Sequence, residues 1–373
     1  MTNGRKFNNI SQKPRILIAP LEWGLGHATR CIPIINELLN QNCDVFIAAE
    51  GATFYLLKQE FPTLNFLPLM GYRVKYSRKK YFLPWKILAQ FPKIVFTIYK
   101  EHQWLKKMVM QNKIDAIISD NRFGMYNKKI PSVYITHQLL IKTGNRFTEK
   151  IAQRIHYHFI KKYTECWVPD FEVNGLAGEL SHPKKLPGKI KYLGALSRFE
   201  LKSVEKKYDL LISISGPEPQ RTIFEDQILK DLIPYPGQVL FIRGLPENSE
   251  EIKSENPSVE IRNHMSAEKM NEAILQSDMI ISRCGYTTIM DLVKLQKKAI
   301  LIPTPGQTEQ EYLAKYLMEN KMFYPVSQKD FVLQDSLQQA DSCPFIFAEY
   351  NMEQYKKIIG QFVQSLQTLQ LIS

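Results

Sequence analysis

A chain of 373 residues is too long for one ordinary hydrophobic core and predicts two domains of roughly 150 to 200 residues each. With 44% hydrophobic and 23% charged residues it is globular, and no run approaches the roughly 18 apolar residues of a membrane span, nor does the polar, basic start resemble a signal peptide. The five cysteines are scattered without metal-ligand spacing, so a reducing, cytoplasmic location is expected, and the net charge of +12 calls for an explanation along the chain.

Ile16 to Ala19 read as a buried strand, and Pro20 to Arg30, PLEWGLGHATR, lead into a helix running to about Leu39. Gly24 and Gly26 permit a tight strand-to-helix turn, which puts His27 at the helix start, facing a crevice. An imidazole there can take a proton from an alcohol near neutral pH; the bland alternative is a histidine that caps the turn. Gly24, Gly26 and Thr29, with Glu50 closing the next strand (Val45 to Ala49), also resemble a dinucleotide fingerprint and would make a dehydrogenase. The third glycine of that fingerprint is missing.

Residues 71–107 hold ten basic residues against one acid, Glu101, and so supply nine of the excess charges. Aromatic residues, Tyr72, Tyr76 and Trp104 among them, are interleaved. Basic residues draw a surface to anionic lipid and aromatic rings favour the interface, so membrane contact through Lys79, Lys80, Trp85 and Lys86 is the first expectation. A core helix with a solvated basic face comes second. Single-stranded nucleic acid comes last, since no nucleic-acid motif accompanies the segment, and no such partner is expected.

Two strands, Ala116 to Ser119 and Ser132 to Thr136, end in the polar clusters Asp120-Asn121-Arg122 and His137-Gln138. Open α/β sheets bind ligands at the carboxyl ends of their strands, so both clusters are expected to line the crevice with His27. Asp120 either orients that histidine or pairs with Arg122 and does nothing chemical. Pro183, Pro187, Gly188 and the polar stretch from Gly194 to Lys207 mark a boundary, with domains expected at 1–195 and 208–349.

The second half opens on the strand Leu210 to Ser213, followed by Ser215, Gly216 and Arg221, a turn whose hydroxyl and guanidinium suit a phosphate. Strands at Val239 to Ile242 and Val259 to Ile261 follow, then Arg262 and Met265 before a helix at Ala267 to Gln276. The densest signal spans 277–317. Met279 to Ser282 form a strand, Gly285 a turn, and Tyr286, Thr287 and Thr288 the first turn of a helix, whose free amides and dipole make an anion site. Asp291 is then placed to accept two hydrogen bonds from a vicinal diol. A phosphate site followed by a diol acceptor points to a nucleotide. A further strand, Ala299 to Ile302, ends in Pro303, Pro305 and Gly306, and the run Gln307, Thr308, Glu309, Gln310 either meets a ligand or is an ordinary surface loop. The last helix, about Glu353 to Leu369, carries one apolar stripe that includes Tyr355, Phe362 and Leu366.

Residues 281–316, with a Ser-Arg-x-Gly turn, Asp291 and the pair Gln310-Glu311, resemble the donor motif of the MurG-related GT-B glycosyltransferases; GLGH at 24–27 resembles that family's glycine-rich loop ending in histidine. The resemblance implies an α/β fold of two Rossmann-like domains facing a central crevice, with the last helix, 350–373, crossing back to the first domain. It implies that His27 is the general base, which Asp120, at its strand end, is placed to orient or assist. Gly26, Ser215, Gly216, Arg221, Gly285, Thr287 and Thr288 would face the donor's diphosphate, Arg262 and Met265 its base, and Asp291 its ribose. Gln310 and Glu311 would meet the sugar, with Gln307 and Glu309 of the same run expected at the donor; Glu311 stands where the family has a second glutamine, which leaves the sugar open. The expected activity is inverting transfer from a UDP-sugar to a hydroxyl acceptor, lipid or lipid-linked, at the anionic inner face of the membrane. The chain has no Asp-x-Asp motif, so no essential metal or other cofactor is expected beside the UDP-sugar co-substrate. A UDP-sugar epimerase of the same fold and a non-catalytic nucleotide-sugar binder are the alternatives.

Overall fold

The structure, a computed structural model, describes residues 13–22, 24–72, 83–245, 250 and 252–372. Runs of aliphatic and β-branched residues buried on both faces build two sheets, and in both every pairing is parallel among the described residues. The first sheet contains β1 (Arg15–Pro20), β2 (Asp44–Ala49), β3 (Asn65–Pro68), β4 (Ala116–Asp120), β5 (Ser132–Ile135), β6 (Glu165–Val168) and β7 (Ile190–Tyr192), in the order β3-β2-β1-β4-β5-β6-β7. Its helices are α1 (Leu25–Asn40), α2 (Gly51–Glu60), α3 (Leu83–Asn112) and α4 (Arg146–Ile160). The second sheet contains β8 (Tyr208–Ser213), β9 (Val239–Ile242), β10 (Val259–Arg262), β11 (Ser277–Arg283), β12 (Ala299–Ile302) and β13 (Tyr324–Pro325), in the order β10-β9-β8-β11-β12-β13. Its helices are α5 (Gln220–Leu232), α6 (Ala267–Leu275), α7 (Tyr286–Lys294), α8 (Thr308–Glu319) and α9 (Leu333–Ala340), and α10 (Gln354–Ile372) ends the chain.

Each sheet reverses its winding beside its first strand: β1 lies between β2 and β4, and β8 between β9 and β11. The carboxyl ends at such a reversal form the crevice in which open α/β sheets bind ligands. His27, Asp120, Ser215 and Gly285 stand at or just beyond the carboxyl ends of β1, β4, β8 and β11, so topology alone directs these four segments toward the crevice.

The turn after β1 depends on Gly24, whose φ of +91° is costly for a residue with a Cβ. A close approach fixes a second glycine. Gly178, in the 3-10 turn Gly178–Leu180, has φ +52°, and an added Cβ would lie 2.7 Å from Tyr312 Oη of α8. Here the first half of the chain touches the second.

Helix α10 crosses back to the first domain. Its Phe362 ring meets Trp167 of β6 edge-on at 5.3 Å, and its buried Ile359, Phe362 and Val363 join the same apolar core as Ile34 and Ile35 of α1. That core continues into Tyr286, Ile289 and Met290 of α7, so the two sheets share one apolar seam.

The basic segment divides in two. In the visible part of α3, Glu101 and Leu105 are buried and Glu101 holds Arg122 at 2.6 Å, the behaviour of a core helix, while Val95, Phe96 and Tyr99 stand exposed. Lys79, Lys80 and the side chains of Trp85 and Lys86 lie outside the described residues. No helix among those described is long and apolar enough to cross a membrane.

Truncating Phe362 to alanine is expected to cost about 3–5 kcal/mol, the usual loss for a buried aromatic ring. Guanidinium denaturation monitored by Trp fluorescence checks this; a change below about 1 kcal/mol would show that α10 contributes little to the first domain.

Candidate active site

His27 lies in the first turn of α1, and its Nδ1 is 3.2 Å from Asp120 Oδ2 at the end of β4. Asp120 is fully buried and does not pair with Arg122, as one sequence reading had it. Its partner is Arg30, one turn after His27, whose Nε donates to Oδ2 at 2.7 Å and whose Nη2 donates to Oδ1. Arg122 turns away to Glu101 (2.6 Å) and Glu22 (3.0 Å) because its Nε is held by Pro20 O. Burial opposes the charge on Asp120, but Arg30 first and His27 second hold its carboxyl well below the usual range. Burial, and then Arg30, lower the His27 pKa, while Asp120 pulls the other way. Nδ1 of His27 is contested: Asp120 can only accept from it, whereas Arg30 Nη2, at 2.7 Å, can only donate to it. When Nδ1 carries the proton and donates to Asp120, the lone pair of the imidazole is left on Nε2.

Arg30 also reaches His137 Nδ1 at 3.3 Å, and His137 Nε2 meets Glu309 Oε1 of α8 at 2.6 Å. Gln138 donates to the other oxygen of Glu309. A polar chain therefore runs from Asp120 through Arg30 and His137 to the second domain. Burial would raise the Glu309 pKa, but His137 and Arg30 hold it low. The His137 ring stacks on Tyr286 at 4.2 Å, and Tyr286 Oη donates to Pro169 O at 2.8 Å.

The opposite wall is the start of α7. Gly285 is its N-cap, and no side chain caps it among the described residues. An added Cβ at Gly285 would meet only Thr288 Oγ1, at 3.8 Å, so the turn is open to a close approach. Thr287 Oγ1 donates to Gly26 O at 3.2 Å, which joins this turn to the loop that carries His27. Nearby, Gly216 has φ +116° and open space at its Cβ position, bordered at 3.8 Å by Thr304 Oγ1, a buried hydroxyl with no partner among the described residues. Three backbone segments and one free hydroxyl thus converge where a phosphate would sit.

Residues 221–357 match the glycosyltransferase family 28 C-terminal domain. An uncharacterized glycosyltransferase of Methanosarcina acetivorans is 23% identical over 330 residues, 82% of this chain and 83% of the relative. The glycotransferase of kitacinnamycin superposes with a TM-score of 0.64 at 12% identity, covering 97% of this chain and 98% of its own. MurG of Acinetobacter baumannii superposes with a TM-score of 0.52 at 13% identity, covering 97% of this chain and all of its own. The chain is a glycosyltransferase of GT-B fold, and its second half resembles the family 28 C-terminal domain.

Not every residue picked from the sequence of this glycosyltransferase is free to meet a donor. Arg221 is bound by Glu218 at 2.6 Å and by Glu225, and Glu218 also accepts from Thr222 N at 3.3 Å. Glu218 thus turns its carboxylate on the start of α5, whereas no side chain among the described residues caps the start of α7. Arg262 lies half-exposed beside Glu260 at 2.9 Å, and Met265 packs at the edge of the core. Gln310 Oε1 accepts from Thr304 N at 2.8 Å, its Nε2 donates to Gln307 Oε1 at 2.6 Å, and Glu311 accepts from Gly306 N at 3.1 Å. These three side chains brace their own loop; Glu309 reaches into the crevice. Ser215 is exposed at the mouth of the turn after β8.

The sequence reading passed over Arg30, Ser197, Arg198 and Thr304. Only Arg30 had a signal, its position three residues after His27 on the same helix face. Ser197, in the polar boundary stretch, donates to Asp291 Oδ1 at 2.5 Å. Burial pushes the Asp291 pKa up to about 7, against the pull of Ser197 and Arg198.

A carboxyl whose folded pKa is raised costs stability as pH climbs from its ordinary value toward the folded one, because the unfolded state releases its proton first. Asp291→Asn removes that cost and retains an acceptor for Ser197. The variant is expected to gain about 2–3 kcal/mol over the native protein on going from pH 5 to pH 8. Equal differences in denaturation midpoint at the two pH values would refute the shift.

Proposed function

We propose that this glycosyltransferase moves a sugar from a UDP-sugar to a hydroxyl acceptor, lipid or lipid-linked, with inversion at the anomeric carbon. The observation that carries the reading is one crevice with His27 and Asp120 on one wall and the uncapped start of α7 on the other, joined at Gly26 and Thr287. Nε2 of His27 takes the proton of the acceptor hydroxyl. The freed oxygen attacks the anomeric carbon from the face opposite the diphosphate, the bond to the diphosphate oxygen breaks, and its electron pair leaves with UDP. Amides at the start of α7 and the Thr288 and Thr304 hydroxyls receive the departing charge, while Thr287 holds the turn against Gly26, which gives a metal no required part. Asp291 and Ser197 flank the ribose, and Glu309, with His137 and Gln138 behind it, meets the sugar. The acceptor comes from the membrane surface, on which the protein sits peripherally.

His27→Ala is expected to lower kcat by about 10²–10⁴ and leave donor binding intact, whereas a non-catalytic binder would show no loss of turnover because it has none. Since burial and Arg30 favour the neutral imidazole, the acid limb of kcat/KM should fall below pH 6.5, the ordinary histidine value. Activity should survive EDTA; its complete loss would remove the metal-free step. A panel of UDP-, GDP- and dTDP-sugars, tested by calorimetry against the native protein and Asp291→Ala, names the donor. Saturable binding of a UDP-sugar that weakens in the variant is expected, and binding of none would overturn the donor reading.

A further inference from the structure

Arg30 faces two imidazoles at once. Its Nη2 lies 2.7 Å from His27 Nδ1 and its Nη1 3.3 Å from His137 Nδ1, while Nε and the second proton of Nη2 fork the Asp120 carboxylate. A guanidinium donates and never accepts, so a ring nitrogen that bonds to it holds a lone pair, and the proton of a neutral ring sits on the other nitrogen. His137 obeys this rule at both ends. Its Nδ1 accepts from Arg30, and its Nε2 donates to Glu309 Oε1 at 2.6 Å.

At His27 the same rule bears on the reaction. Nδ1 has two neighbours, Arg30 Nη2 at 2.7 Å and Asp120 Oδ2 at 3.2 Å, and the donor is the nearer. Asp120 Oδ2 already accepts from Arg30 Nε at 2.7 Å and from the Cys31 thiol at 3.9 Å, and Oδ1 accepts from Arg30 Nη2. The carboxylate therefore needs no proton from His27. A proton on Nδ1 would instead break the Arg30 bond and set two N–H groups against each other. Burial and then Arg30 favour the neutral ring, so its single proton falls on Nε2. Nε2 has no partner among the described residues, and 16% of the side chain is exposed. An N–H at that position donates to an anionic oxygen and has no lone pair with which to take a proton from a hydroxyl.

We propose that Arg30 is a positioning residue that holds His27 in the Nε2–H form, idle as a base, in the acceptor-free enzyme. The inference rests on the reading of His27 as general base and adds what restrains it. With Nε2–H turned to the crevice, water beside a bound donor finds no base, and the donor is spared hydrolysis. An acceptor hydroxyl that donates to Nε2 binds only the other form of the ring and so draws it there. Water brings no further contacts and lacks that differential affinity. Arming the base balances without change of charge: Nε2 gives its proton to solvent, and Nδ1 takes one from solvent and donates it to Asp120 in place of the Arg30 bond.

The test reads the ring protons directly, by NMR of the full chain labelled with ¹⁵N-histidine, the His27 signals being assigned by their loss in His27→Gln. The native, ligand-free protein is expected to carry the His27 proton on Nε2. Arg30→Lys keeps a cation beside Asp120 but brings no second prong to Nδ1. Its ring proton should move toward Nδ1, changing the tautomer ratio roughly tenfold or more, the worth of one hydrogen bond to a charged group. Without acceptor, the variant should also hydrolyse UDP-glucose or UDP-N-acetylglucosamine faster than the native protein, whereas a merely structural Arg30 could only slow that reaction. A native ring protonated at Nδ1 would overturn the proposal, as would an unmoved tautomer or slower hydrolysis in the folded variant. The native spectrum needs neither variant nor donor, so it decides even where Arg30→Lys fails to fold. Failure to bind any UDP-sugar would sink the donor reading and leave the tautomer result standing.

Discussion

The crevice depends on the buried ion pair between Arg30 and Asp120. Both side chains are taken almost entirely out of water, a costly arrangement that holds only when geometry and hydrogen bonding are complete. Arg30 meets that condition with a two-pronged grip on the carboxylate, and its remaining donors face His27 and His137. The first turn of α1 is thereby locked to the end of β4. His27 has little freedom to point anywhere but into the crevice.

From that pair outward, the two sheets are joined in two different ways. On the crevice side the contacts are polar and aromatic: Glu309 with His137 and Gln138, Tyr286 on His137, Thr287 to Gly26, and Tyr316 Oη to Gly175 O at 2.8 Å. Away from it the contact is apolar, with α10, α1 and α7 sharing one core. Directional contacts of the first kind set how the walls of the crevice face each other. Non-directional burial of the second kind holds the halves together.

Much of the fold was legible because a parallel strand buried on both faces reads as a short apolar run. β1, β2, β4, β8, β9 and β12 all do so, and the sequence placed each within a residue or two. β3 lies at a sheet edge and is only half-buried. β6 opens on Glu165, which its edge neighbour Lys191 pairs at 2.6 Å, and β13 has two residues; none of the three has a run to read. Helix α4 has the apolar period of a core stripe, yet Phe147, Ile151 and Ile155 stand in solvent.

The sequence by itself determined the alternation of strands and helices, the tight turn at Gly24 and the uncapped start of α7. Each is written in residues that are neighbours along the chain: an apolar run, a glycine with positive φ, a helix start without a capping side chain. Only the tertiary structure decided which charges meet. It gave Asp120 to Arg30, 90 residues away, and not to Arg122 two residues on; it closed Arg221 onto Glu218 and Glu225, set Ser197 on Asp291, and brought Glu309 across to His137. Local rules govern backbone shape over one or two turns. The pairing of polar side chains depends on which strand ends the sheet order brings side by side, and no stretch of sequence carries that order alone.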